Sequence, residues 1–339
     1  MKIHRIAEKV KGFTIVNNEV YWSSECQLLK LENGEHKCIL KSKEKLQEIR
    51  YETPYLYVPD FYGNSYIVQT EQKYYPNIFV QKVISEDKLI VSYDKKTKLY
   101  NPITNDFKDL LDHRIFQFYR HQDFLISEHE KHIIAYSVNS GNTIWSQSIK
   151  DILGTYTDIT GNEKEYRVTK FIGIIINDLV IQLTNSMLIS INVETGLLSH
   201  LINLKETAPI PSSIFYDDYC HPSILGNKLI WLNNQRLMEV DVKNETVNVL
   251  KDYYNEPKNQ QYRFMKNTAN KDKILFVADK GWEYITPSRI GIMNSKDGKI
   301  IWERQLQKTG GLPEEPQLYN NTMYIRTANK TLYSIDLED

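Results

Sequence analysis

The sequence predicts an all-β chain, a single β-propeller of seven blades with four antiparallel strands each, its ring closed by the N-terminal strand. Three observations carry that expectation. One strand–turn–strand segment recurs along the chain, a short strand precedes it at regular spacing, and no helical period is sustained anywhere.

The recurring segment is clearest in residues 133–149 (IIAYSVNSGNTIWSQSI), 188–204 (LISINVETGLLSHLINL), 237–250 (LMEVDVKNETVNVL) and 290–306 (IGIMNSKDGKIIWERQL). Each reads as an alternating strand, a tight polar turn and a second alternating strand. The turns NSG, ETG and KDG supply the glycine that a left-handed position needs. Trp145 and Trp302 each fall four residues after their turn glycine, and His200 holds that place in the second segment.

Seven short strands lie upstream: residues 19–22 (EVYW), 88–91, 123–126, 178–181, 228–231, 273–276 and 322–325. Most begin roughly 35 to 55 residues apart, which brackets a propeller blade. The first gap is near 70, so residues 41–77 are taken as an insertion, with an eighth, degenerate blade as the alternative. The best helix candidate, residues 41–50, is short and largely charged. At the C terminus the strand at residues 331–337 has no outer neighbour, and residues 2–9 are expected to supply it, removing a free edge.

Composition agrees with one domain over residues 1–339: 41% of residues are hydrophobic, enough for a large core, and no Gly/Ser-rich or Pro-rich linker divides the chain. Formal net charge is −1 with both signs interspersed, which argues against nucleic acid and against a membrane surface. No stretch is apolar enough to span a bilayer, and the N terminus lacks a signal-peptide core. Three cysteines, Cys26, Cys38 and Cys220, fit neither metal spacing nor a disulfide framework. The expected location is the cytoplasm.

The repeats resemble those of PQQ-like β-propellers, whose pattern is an aliphatic residue, Asp, a Thr-Gly turn and Trp. Asp241 and Asp336 match the acid, Thr195-Gly196 the turn, and Trp145 and Trp302 the indole. Ser137, Asn192 and Asn294 stand where Asp is expected. The resemblance implies the fold. It does not extend to the quinone, because the export signal and adjacent cysteines of such enzymes are missing, so no cofactor is expected.

No catalytic or metal constellation is visible. His129 and His132 sit in a turn, where spacing by three does not align side chains. Cys220 and His221 are adjacent on an extended chain, so they point apart and do not form a nucleophile–base pair. Gly310-Gly311 lacks the Lys-Ser/Thr ending of a phosphate loop.

Propeller topology places the long connections on one face. Residues 41–77, 150–167, 205–218, 251–261 and 307–315 run between blades, and 279–289 joins the face within a blade. These loops are rich in Tyr and Trp, which favour binding hot spots. The expected partner-binding residues are Tyr62, Tyr74, Tyr75, Tyr216, Asp217, Asp218, Tyr219, Tyr253, Tyr254, Trp282 and Tyr284. The function expected is non-catalytic protein binding, in the form of a bacterial inhibitor or immunity protein that caps a toxin or enzyme. The alternatives are a scaffold or sensor holding a peptide or small ligand in the central channel, and a carbohydrate-active propeller enzyme.

Overall fold

The computed structural model describes residues 2–52, 55–68, 72–158, 160–209, 220–281, 289–306 and 314–337. Tight turns, many with Asn, Asp or Gly at positive φ, fold alternating segments back on themselves. The described strands form eight four-stranded antiparallel sheets. The seven-blade expectation is therefore corrected to eight blades.

The chain divides into two compact units, Met1–Phe116 with Val138–Gly141 and Gln317–Asp339, and Gln117–Ser137 with Asn142–Pro316. The first unit holds blade 1 (strands Val10–Val16, Glu19–Ser24, Gln27–Glu32 and Glu35–Lys41), blade 2 (Arg50–Glu52, Tyr55–Pro59, Ser65–Val68 and Gln72–Tyr75) and blade 3 (Phe79–Ser85, Lys88–Tyr93, Lys96–Asn101 and Asp106–Leu111). It also holds blade 8, made of Gln317–Tyr319, Thr322–Arg326 and Leu332–Asp336 with Ile3–Ala7 as its fourth strand. Ile3 pairs with Ile335, so the N terminus does complete the last blade.

Blade 2 occupies the segment expected to be an insertion. Its strands are only three to five residues long, and Tyr55–Pro59 is buried at every position. A strand covered on both faces loses the alternation by which strands are read. Leu28, Leu40, Leu46, Ile49, Leu56 and Val58 make the core between blades 1 and 2.

The second unit holds blade 4 (Phe118–His121, Phe124–His129, His132–Ser137 and Thr143–Ser148) and blade 5 (Val168–Ile175, Asp178–Leu183, Met187–Asn192 and Leu198–Asn203). It continues with blade 6 (Ser223–Leu225, Lys228–Asn233, Arg236–Asp241 and Thr246–Asp252) and blade 7 (Tyr262–Asn270, Lys273–Lys280, Arg289–Asn294 and Ile300–Gln305). The connection after blade 4 carries the short helix Ile149–Leu153 and the hairpin Thr155–Thr157/Glu163–Glu165.

Neighbouring blades within each unit are latched by buried polar side chains that meet the backbone of an adjoining blade or of the connection leading into it. Ser23 Oγ donates to the Gln47 carbonyl at 2.6 Å in the first unit. In the second, Gln182 Nε2 donates to the Cys220 carbonyl at 3.3 Å and Asn267 Nδ2 to that of Leu232 at 3.0 Å. Satisfying a buried amide this way stabilises one relative placement of two sheets and penalises others.

Candidate functional site

The turn of blade 2 between Pro59 and Ser65 is built around Asp60, which is 2% exposed. Its carboxylate accepts hydrogen bonds from the backbone of Tyr62 at 2.9 Å and Asn64 at 3.0 Å, and from Asn64 Nδ2 at 2.7 Å. Gly63, at φ 88°, lets the chain turn back within this cradle. Asn64 Oδ1 accepts from the backbone of Asn77 at 2.7 Å, and the Lys45 carbonyl accepts from Phe61 N at 2.9 Å. Both flanking connections are thereby fixed to the turn.

With Asp60 turned inward, the turn's aromatics point out. Phe61 is 70% and Tyr62 69% exposed, their rings edge to face at 5.7 Å. Beside them lies an open cavity of about 550 Å³ whose lining includes Lys41, Lys43, Glu44, Tyr62, Tyr66 and Tyr74. Tyr66 is oriented by a 2.8 Å hydrogen bond between its hydroxyl and Ser42 Oγ, and it packs on Tyr74 at 4.9 Å. Burial, with Tyr66 and nearby carboxylates, pushes the Tyr74 phenol up, so it remains a neutral hydroxyl at physiological pH.

Cations crowd the same unit. The Lys11 ammonium is pushed down by Lys330 first and then by partial burial, with Lys45 and Arg326 adding to the effect. Lys9 pairs with Glu25 at 2.9 Å. Lys45 links this group to the tyrosine turn through its bond to Phe61. Chemically, the site offers ring faces, hydroxyls and ammonium donors, suited to contact and charge recognition. Nothing in it resembles an activated nucleophile.

Of the residues expected from sequence, Tyr62 and Tyr74 come together here. Tyr75 is 8% exposed and packs edge-on to Tyr100, inside the core of blades 2 and 3. Tyr253 is 3% exposed among Tyr262 and Phe264, so its ring lies in the core as well. Tyr254 is half-buried, its carbonyl accepting from Gln261 Nε2 at 2.7 Å. Tyr216, Asp217, Asp218, Tyr219, Trp282 and Tyr284 lie outside the described residues. Sequence reasoning did not single out Lys41, Lys43, Glu44 or Asn64. The available signal was the Asp-x-x-Gly-Asn turn of residues 60–64, which fixes its own geometry.

His129 and His132 do not stand in a turn but pair across the end of a blade 4 hairpin, with His129 3.8 Å from Glu130 and His132 Nδ1 3.0 Å from the Glu130 carbonyl. Among the described residues no group of three or more His, Cys, Asp or Glu side chains is placed to hold a metal. Cys220 and His221 do point apart. The thiol donates to the carbonyls of Phe264 and Met265, and the imidazole meets Gln182.

Comparison with known proteins places the architecture among β-propellers. The C-terminal WD40 domain of Sif2 superposes with a TM-score of 0.66 at 10% identity, covering 99% of each chain. The computationally designed Ika8 protein gives 0.65 at 8% identity over 97% of this chain and 96% of its own. Sqt1 of Saccharomyces cerevisiae gives 0.59 at 10% identity over 99% and 97%. At such identities the likeness shows the fold alone. No known protein family, the PQQ-like repeats included, matches the sequence, and no curated protein matches it. The chain thus has the β-propeller fold, with no family assigned to it.

Proposed function

We propose that this chain is a non-catalytic, protein-binding β-propeller that engages its partner through the tyrosine turn of blade 2. The observation that carries the reading is the exposed Phe61–Tyr62 pair standing over a preformed cavity edged by Lys41 and Lys43. Large rings held out by a rigid, self-satisfied turn lose little entropy on binding, and that is how hot spots are built. The flanking ammonium groups favour a partner with an acidic surface. The particular form we propose is an inhibitor or immunity protein of the bacterial cytoplasm that caps a toxin or enzyme. A rigid scaffold carrying an aromatic anchor can block an active site without chemistry of its own.

The test compares capture by the tagged chain and by its F61A/Y62A variant from native cells. One stoichiometric partner, retained by the parent and lost by an equally stable variant, is the expected result. Equal capture by both chains overturns the role of this turn. If the retained partner is an enzyme or toxin, the chain should inhibit it when the two are mixed.

A further inference from the structure

A row of cations leads away from the tyrosine turn within the first unit, and backbone contacts fix its order. Phe61 N donates to the Lys45 carbonyl at 2.9 Å, which ties the turn to the connection between blades 1 and 2. That connection is anchored in its turn by Leu46 N on the Glu25 carbonyl at 2.7 Å. Against it lies the first strand of blade 1, where a Cβ on Gly12 would stand 3.0 Å from Glu48 Cα. Lys11 precedes that glycine at a β-bulge: Val10 faces Ser24 and Gly12 faces Ser23, so Lys11 has no partner across the ladder. A bulge re-aims the side chain of its extra residue. Beyond Lys11, Val10 N donates to the Lys330 carbonyl at 2.9 Å, and Arg326 Nη1 donates to the Val10 carbonyl at 3.4 Å. Lys330, at φ 65°, belongs to a turn of blade 8 closed by Thr327 N on the Thr331 carbonyl at 2.9 Å.

These charges are uncompensated. Lys11, Lys45 and Lys330 have no ion-pair partner among the described residues, and neither have Lys41 and Lys43 at the cavity. Of the carboxylates close by, Glu25 pairs with Lys9 at 2.9 Å and Asp60 is buried under three N–H donors, which leaves Glu44 and Glu48. Repulsion from Lys330 first, then partial burial, holds the Lys11 ammonium below its ordinary range, the sign of a local positive potential. Gathering like charges costs the fold stability, and no internal contact offsets it, so the counter-charge is to be sought in a partner.

The row consists of separate ammonium point charges. Arg326 is half-buried with Nη1 on a carbonyl, and the amides of Tyr62 and Asn64 are taken by Asp60, so phosphate would find no exposed guanidinium fork and no nest of free N–H groups in this turn. Phe61 and Tyr62 stand edge to face at 88° and leave no parallel slot for a nucleobase. Carboxylates spaced along a polypeptide match such charges one by one. We propose that the row seats an acidic segment of the partner protein, its Asp and Glu side chains lying on Lys45, Lys11 and Lys330. The inference rests on the tyrosine turn being the partner site, and it adds to that site a second, ionic contact across blades 2, 1 and 8.

The probe is a labelled peptide of alternating Glu and Gly, titrated into the full chain at low and at physiological salt and followed by fluorescence anisotropy. A Gln-Gly peptide and a thymidine oligonucleotide of equal charge run beside it. The expected result is that the Glu peptide binds and its Gln counterpart does not, and that K11Q/K45Q/K330Q weakens binding about tenfold and removes most of its salt dependence. K243Q/K258Q/K296Q takes the same charge from exposed positions of the second unit and should bind like the parent. If the first triple variant does not fold, K45Q/K330Q, which alters exposed side chains alone, is decisive, with about fivefold weaker binding expected. Equal losses in the two triple variants, or a peptide affinity that neither changes, overturns the seat. An oligonucleotide that binds tighter than the peptide overturns the choice of partner. F61A/Y62A should leave the peptide affinity unchanged while abolishing capture of the whole partner, so the ionic row and the tyrosine turn fail or stand separately.

Discussion

Trp145 of blade 4 lies on Gly196 in the last turn of blade 5. Its indole donates to the Val193 carbonyl at 2.8 Å, and a Cβ placed on Gly196 would stand 2.5 Å from the Trp145 ring. The glycine is also at φ 73°, a conformation that side chains resist. Gly196→Ala therefore adds left-handed strain to a steric clash and is expected to cost about 2–4 kcal/mol. Trp145→Ala should cost about 3–5 kcal/mol by emptying a buried indole site. Denaturant unfolding of both variants and their double mutant should show marked non-additivity, since the two residues form one contact.

Trp302 occupies the matching place in its repeat but is only half-buried. Its replacement by Ala is expected to cost about 1–2 kcal/mol, well below Trp145→Ala, because less apolar area leaves water there. Equal losses for the two variants would refute the difference in docking. His200, the third residue at this place, reaches Glu245 of the next blade's turn through Nδ1 at 3.3 Å, a hydrogen bond in place of the indole–glycine contact.

These pairings show what the sequence could reveal. Alternation and turn glycines exposed the outer strands of blades 4, 5 and 7, but not that the turns of blades 5 and 7 receive Trp145 and Tyr253 from the preceding blades. Blade 2 was hidden because Tyr55–Pro59 is buried on both faces and its strands are short. Among the tyrosines, Tyr74 and Tyr75 are neighbours on one strand, so one must face out and the other in. The register that decides, with Tyr74 opposite Tyr66 and Tyr75 opposite Ser65, is a property of the folded sheet. Tyr253 looked like a loop aromatic because its strand ends at Asp252, yet its ring turns back under the next blade.

Tyr253 makes a second inter-blade dock. Its hydroxyl donates to the Gly298 carbonyl, and a Cβ on Gly298 would stand 2.6 Å from Lys251 Cβ. Burial pushes this phenol up, so it stays protonated and able to donate. Tyr253→Phe keeps the ring but leaves a buried carbonyl short of a donor, for an expected loss of about 1–2 kcal/mol. Tyr253→Ala should lose more than Tyr253→Phe, and thermal melts of the two variants measure ring and hydroxyl separately.

His221 makes stability depend on pH. In the unfolded chain its imidazole titrates near its ordinary 6.5, whereas in the fold it resists protonation until about 4. Between those values the unfolded state binds more protons, so stability rises with pH from 4 to 6.5 and is flat above. Acidification through that window should remove about 1–2 kcal/mol that His221→Gln does not lose. The difference between parent and variant unfolding free energies at pH 7 and pH 4.5 checks the sign, other titrating carboxylates cancelling in the subtraction.

The tyrosine turn should separate binding from folding. Phe61 and Tyr62 expose most of their area, so F61A/Y62A should change stability by no more than about 0.5 kcal/mol. Asp60→Ala acts in the opposite way. It removes a buried carboxylate that holds three N–H donors in place, so the turn should loosen, with about 1–3 kcal/mol lost. Once a partner is in hand, K41Q/K43Q should slow association and flatten its salt dependence, because exposed charges act mainly on encounter. F61A/Y62A should instead speed dissociation, since the rings contribute only after contact is made. Association and dissociation rates measured at two salt concentrations separate the two effects, and a lysine variant that altered only dissociation would contradict the assignment of steering to Lys41 and Lys43.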